Sequence, residues 1–193
     1  MKRSSAQNER QNALVRMIAG AGLMLVGVAL YLLLRGMPAA SVPATQDRSV
    51  VPVEVHYAAP ALSLNNLQGA SESLADYRDR VVLVNNWATW CPPCKAEMPT
   101  LEAYYEQHAS QGFMIIAIEA GDEPENVQPF VQSYGLQFRI WLDPHTASLT
   151  AFRNPNLPNS YVLDRGGMVR YAWTGEISRS MLEKYITPLL GEE

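Results

Sequence analysis

Cysteine and histidine are scarce in this chain: two cysteines in 193 residues, and three histidines, His56, His108 and His145, scattered without ligand spacing. A structural zinc site needs four ligands, and the sequence offers the cysteine pair no second pair to complete one, which disfavours zinc. Basic charge is also scarce where it would matter. From Gly36 onward there are 10 Lys+Arg against 18 Asp+Glu, whereas the first 35 residues carry 5 against 1. The bulk of the chain therefore has no basic patch for nucleic acid or for an anionic lipid surface, and its acidic excess serves solubility. Internal repeats and low-complexity tracts are absent, which excludes solenoids and arrays. Long apolar runs are limited to one.

That run, residues 17–34, has no charge and only Tyr31 as a polar group, and Arg35 ends it. At about 1.5 Å per residue it covers most of a hydrocarbon core, and it exceeds the roughly 7–15 apolar residues of a secretory signal. It reads as one membrane anchor over residues 17–35. Lys2, Arg3, Arg10 and Arg16 precede it against Glu9 alone, so the positive-inside rule keeps residues 1–16 in the cytoplasm and sends the rest outside. The alternative is a cleaved signal peptide, because Pro38-Ala39-Ala40-Ser41 offers small residues at the far end. Residues 36–57, with Pro38, Pro43 and Pro52 among Ala, Ser, Thr and Val, read as an extended tether, although residues 50–55 could form an edge strand. Residues 58–193 are enough for one domain with a full core.

Both cysteines fall in Trp90-Cys91-Pro92-Pro93-Cys94, where the apolar run Val81-Val82-Leu83-Val84 gives way to the helix-forming Lys95-Ala96-Glu97-Met98. A strand feeds a helix, with the thiols at the junction. A cysteine at a helix start meets unpaired backbone N–H groups and the positive end of the helix dipole, which favour thiolate. Cys91 is thus the expected attacking sulfur and Cys94 the shielded resolving one. Pro92 and Pro93 have no N–H to lose there and stiffen the turn. A purely structural bridge over so short a loop would remove little chain entropy, which makes redox chemistry the better use of the pair.

The segment from Val81 to Pro99, with Trp87-Ala88-Thr89-Trp90-Cys91-Pro92-Pro93-Cys94 at its centre, resembles the active-site segment of the thioredoxin superfamily. Within that superfamily it is most similar to the membrane-tethered TlpA/ResA branch, which includes the CcmG-type proteins of cytochrome c maturation. The resemblance spans roughly residues 58–190. It implies an α/β thioredoxin-like fold with a central mixed sheet flanked by helices, and a redox-active disulfide Cys91–Cys94 with no other cofactor. It also implies thiol–disulfide exchange with disulfide-bonded extracytoplasmic proteins, electrons from a membrane thiol reductase, and apocytochrome c as one candidate substrate. The direction stays open between a reductase and a disulfide-installing oxidant.

The resemblance assigns further residues. Pro158, after Leu157, stands where the fold has its cis-proline, which faces the dithiol and offers backbone to an incoming peptide. Asn159 and Ser160 replace the threonines common there. Glu97 matches an acidic residue linked to proton handling, and disulfide exchange needs a base for the resolving thiol. Asn85 stands where thioredoxins keep a buried aspartate, so Glu97 is the carboxylate left for that role. Asn86 replaces the usual aromatic, for no reason visible in the sequence. Trp90 is the expected partner contact, with Pro92, Pro93 and Leu157, while Trp87 is equally well core. A copper chaperone of related fold would space its cysteines by three residues and add a histidine near Leu157-Pro158. A peroxiredoxin would need Thr-x-x-Cys, and Thr89 is only two residues before Cys91.

Periodicity supplies the remaining elements. Short strands are expected at residues 61–64, 113–118, 138–142 and 159–164, the last forming a hairpin with 168–174, and one helical turn at 74–77. A long helix after the cysteines should bury Met98, Leu101, Tyr105 and His108 and kink at Pro99. Glu119 to Glu125 reads as an acidic loop, followed by a helix ending at Gly135 and a closing helix over residues 178–190.

Overall fold

A computed structural model describes residues 50–192 together with Gly27 and Tyr31. Apart from those two positions, the expected anchor and the basic segment before it lie outside the described residues. Among the described residues no helix is long and apolar enough to cross a membrane.

The strands, in chain order, are β1 Val53–Ala58, β2 Ser63–Asn66, β3 Ser71–Ser73, β4 Val81–Trp87, β5 Phe113–Ala120, β6 Arg139–Asp143, β7 Asn159–Leu163 and β8 Met168–Thr174. The helices are α1 Pro92–His108, α2 Pro124–Tyr134, α3 Ala147–Ala151, α4 Arg179–Tyr185 and α5 Thr187–Leu190, with a 3₁₀ turn at Leu74–Tyr77. The strands form one sheet in the order β1-β8-β7-β4-β5-β6-β2-β3. β4, β5 and β6 run parallel, while β7 is antiparallel to β4.

β4 is central because all of its residues can be buried, and all are. Val81, Leu83 and Trp87 pack with Met98, Leu101 and Tyr104 of α1. Val82 and Val84, pointing the other way, pack with Ile116, Ile118, Trp141 and Tyr161. A strand covered on both faces reads as a continuous apolar run, as this one does from Val81 to Val84 before Asn85 and Asn86.

Several boundaries differ from expectation for identifiable reasons. Residues 53–57, placed in the tether with an edge strand over 50–55 as the alternative, belong to edge strand β1, which pairs with β8; Pro52 falls just before it, where no ladder hydrogen bond is lost. Tyr104 rather than Tyr105 takes the deep position on α1, set edge-on to Phe113 and bonded through its hydroxyl to Thr187 Oγ1 at 2.9 Å. Tyr105 packs at the rim, edge-on to Phe138. The closing helix is split at Ile186, because Pro188 has no N–H to donate to the preceding turn. α3 was not anticipated from the sequence. Its first N–H groups are met by Asp143, which accepts from Ala147 N at 2.9 Å and Ser148 N at 2.7 Å.

Candidate active site

Cys91 is the N-cap of α1, and Pro92 and Pro93 occupy its first positions. Cys91 and Cys94 form a disulfide, S–S 2.04 Å, with Cα atoms 5.3 Å apart. Cys94 is fully enclosed, while Cys91 retains 4% exposure. The only backbone N–H bonded to Cys91 Sγ among the described residues is that of Cys94, at 3.4 Å. Cys91 is thus the outer sulfur of the pair and Cys94 the inner one.

Cys91 opens onto a groove of about 460 Å³ lined by Trp90, Pro92, Pro93, Ala120, Thr146, Leu149, Pro155, Asn156 and Leu157. Trp90 is 64% exposed, a large apolar surface beside the sulfur. Trp87 is core, stacked at a tilt on Phe130 with centroids 4.8 Å apart. The Leu157–Pro158 peptide is cis. Pro158 is buried behind the groove and its carbonyl accepts from Gly175 N at 2.8 Å. Of the residues expected to meet substrate, the fold thus gathers Trp90, Pro92, Pro93 and Leu157 around Cys91 and sets Pro158 behind them.

Glu97 lies outside the groove. One turn beyond Cys94, on the same buried face of α1, it is fully enclosed. Its carboxylate accepts from Asn85 Nδ2 at 2.8 Å and from Ile177 N at 3.0 Å. Burial pushes this carboxyl up to about 8, opposed by those two donors and reinforced by the charge of Glu176. Asn85 cannot replace an aspartate as a base, yet it holds Glu97 in place, and its Nδ2 also donates to Ser160 Oγ at 2.9 Å.

A second buried carboxyl was not anticipated. Glu119, read as the start of an acidic loop, is on β5 opposite Trp87 and fully enclosed. It accepts from Asp122 N at 2.9 Å, and Asp122 in turn accepts from the Thr89 hydroxyl. Burial raises Glu119 to about 7, and the neighbouring Asp122 carboxyl adds to the rise. Thr89 is therefore committed to Asp122. The sequence signal was faint: a single acidic residue ending an otherwise apolar strand.

A mixed sheet, a dithiol at the start of the helix after its central strand, and a cis-proline behind the groove define a thioredoxin-like thiol–disulfide oxidoreductase. The chain belongs to the AhpC/TSA family, whose family model matches residues 55–172. It is 34% identical over 134 residues to the thiol-disulfide oxidoreductase ResA of Geobacillus thermodenitrificans, covering 69% of this chain and 77% of that one. It is also 34% identical over 128 residues to ResA of Bacillus subtilis, covering 66% and 72%. A thiol:disulfide interchange protein of the thioredoxin family from Chlorobium tepidum superposes with a TM-score of 0.63 at 27% identity, over 72% of this chain and 99% of that one. A secreted thiol-disulfide isomerase from Corynebacterium glutamicum gives a TM-score of 0.68 at 22% identity, over 74% and 93%, a likeness of fold alone.

Proposed function

We propose that this oxidoreductase works as a reductase of disulfides in exported proteins, on the outer side of a membrane to which residues 17–35 tether it. The observation that carries the reading is the asymmetry of the pair: Cys91 opens onto an apolar groove and Cys94 is closed off beneath it. Beside Cys91 the main chain of Leu157 makes no hydrogen bond among the described residues, while its neighbours Asn156 and Pro158 have theirs taken. A partner's extended segment can pair there and lay its own disulfide against Cys91.

The Cys91 thiolate attacks that disulfide, forming a mixed disulfide and releasing one partner thiolate. Glu97 takes the proton of Cys94. The Cys94 thiolate then attacks Cys91 Sγ, releasing the second partner thiol and leaving the Cys91–Cys94 disulfide seen here. A membrane thiol reductase returns the two electrons. The resemblance to the TlpA/ResA branch supports the reductive direction. Resemblance to the CcmG-type proteins makes apocytochrome c the substrate to try first.

The test is the reduction potential of the full-length protein, followed by tryptophan fluorescence in dithiothreitol buffers. A value near or below about −250 mV supports a reductase, and one near about −120 mV reverses the direction of electron flow.

A further inference from the structure

Asn86 is a polar residue next to the end of the wholly buried central strand, on the face it shares with Val82, Val84 and Ile118. An apolar side chain would fill this site without polar cost. The asparagine carries one amide oxygen, Oδ1, that has no partner among the described residues, a penalty its other atom must justify. That atom, Nδ2, donates at 2.8 Å to Oδ1 of Asn159, the residue directly opposite on β7. Asn159 is itself fully enclosed, and its Nδ2 donates to the carbonyl of Asn156 at 2.6 Å and of Asn154 at 3.3 Å. Asn154 closes the network: its Oδ1 accepts from Asn156 N at 3.2 Å, and its Nδ2 reaches Thr174 Oγ1 on β8 at 2.9 Å.

The peptide on either side of Asn156 is thus held through side chains that lead back to the central strand. Asn156 and Leu157 line the groove together with Trp90. Regular pairing of β4 with β7 ends at Asn159, so without these bonds the segment 154–157 would have little to hold it but its ends. Asn86 and Asn159, each an unusual choice at its position, are explained together.

We propose that Asn86 and Asn159 are positioning residues for substrate, a polar relay that holds segment 154–157 where Leu157 can pair with the extended chain flanking a partner's cysteine. The relay acts on binding of peptide-bearing disulfides and leaves the sulfur chemistry alone. The inference rests on the reading of the groove as the substrate surface.

The test uses full-length protein, Asn86→Leu and Asn159→Thr, with dithiothreitol as electron source and insulin as the disulfide-bonded probe. A peptide-free aryl disulfide and the reduction potential are measured in parallel. Both variants should raise KM for insulin about five- to tenfold, the worth of one hydrogen bond, with kcat, the aryl disulfide rate and the potential unchanged. Trp90→Ala separates the two levels of the argument. If it raises KM for insulin while both folded asparagine variants do not, the relay is overturned and the groove stands. If neither Trp90→Ala nor the asparagine variants alter KM, the groove reading fails and the relay with it. Lowered thermal stability with an unaltered insulin KM identifies a merely structural pair and also overturns the proposal.

Discussion

Asn85 Nδ2 donates a 2.8 Å hydrogen bond to Glu97 Oε1, joining the central strand to the dithiol helix directly behind Cys94. A donor of this kind favours the charged carboxylate, as does Ile177 N, but the desolvation cost is larger and Glu97 titrates near 8. The carboxyl therefore changes charge in the range where thiols do. A group poised in this way can exchange a proton with the resolving sulfur, which a surface glutamate near 4.5 could not do efficiently.

The same shift makes stability depend on pH. Glu97 ionises near 8 in the folded state and near the ordinary 4.5 when unfolded, so the unfolded chain loses this proton first. Its contribution is full below 4.5 and is lost as pH rises to about 8, at up to about 1.4 kcal/mol per pH unit. Denaturant unfolding of the oxidised protein across that window should show the decline, with a clearly shallower one in Glu97→Gln. Equal slopes in the two proteins would refute the assignment.

Asp122→Asn should lower the titration of Glu119 below its present value of about 7, because it removes the nearby charge that adds to burial. It should not restore the ordinary value, since burial, the larger cause, stays. Carbon NMR of the Glu119 carboxyl reads this directly, and an unmoved titration would show that Asp122 exerts no influence.

Cys94→Ser should accumulate a mixed disulfide between Cys91 and its partners, whereas Cys91→Ser should form none and lose turnover. Non-reducing gels of the two variants decide it. Adducts through residue 94 in the Cys91→Ser protein would invert the roles argued from their exposure.

Glu72 holds the β2–β3 hairpin to the sheet: it accepts from Tyr77, Asn66 and Trp141 and lies 3.6 Å from Arg139. Glu72→Ala leaves the buried Trp141 Nε1 unpaired, at about 1–3 kcal/mol. Hydrogen exchange should quicken in β2 and β3 and hardly change in β4. Tyr77, whose hydroxyl is held near 12 by burial and then by Glu72, should titrate lower in ultraviolet absorbance.

What the sequence by itself determined is local or periodic. The run Val81–Trp87 needed two covered faces, the proline pair beside Cys91 needed a helix start, and the Arg165-Gly166-Gly167 turn needed a hairpin, in which Gly167 adopts φ 80°. The two cysteines and the groove residues beside them were legible because their neighbours in sequence are their neighbours in space. What only the tertiary structure decided involves polar side chains whose partners are far along the chain: Glu97 with Ile177, Asn86 with Asn159, Thr89 with Asp122. A carboxyl or an amide looks the same in a sequence whether it is solvated or enclosed. Its proton affinity and its hydrogen bonds are set by the dielectric and the donors around it, and those exist only once distant strands have been brought together.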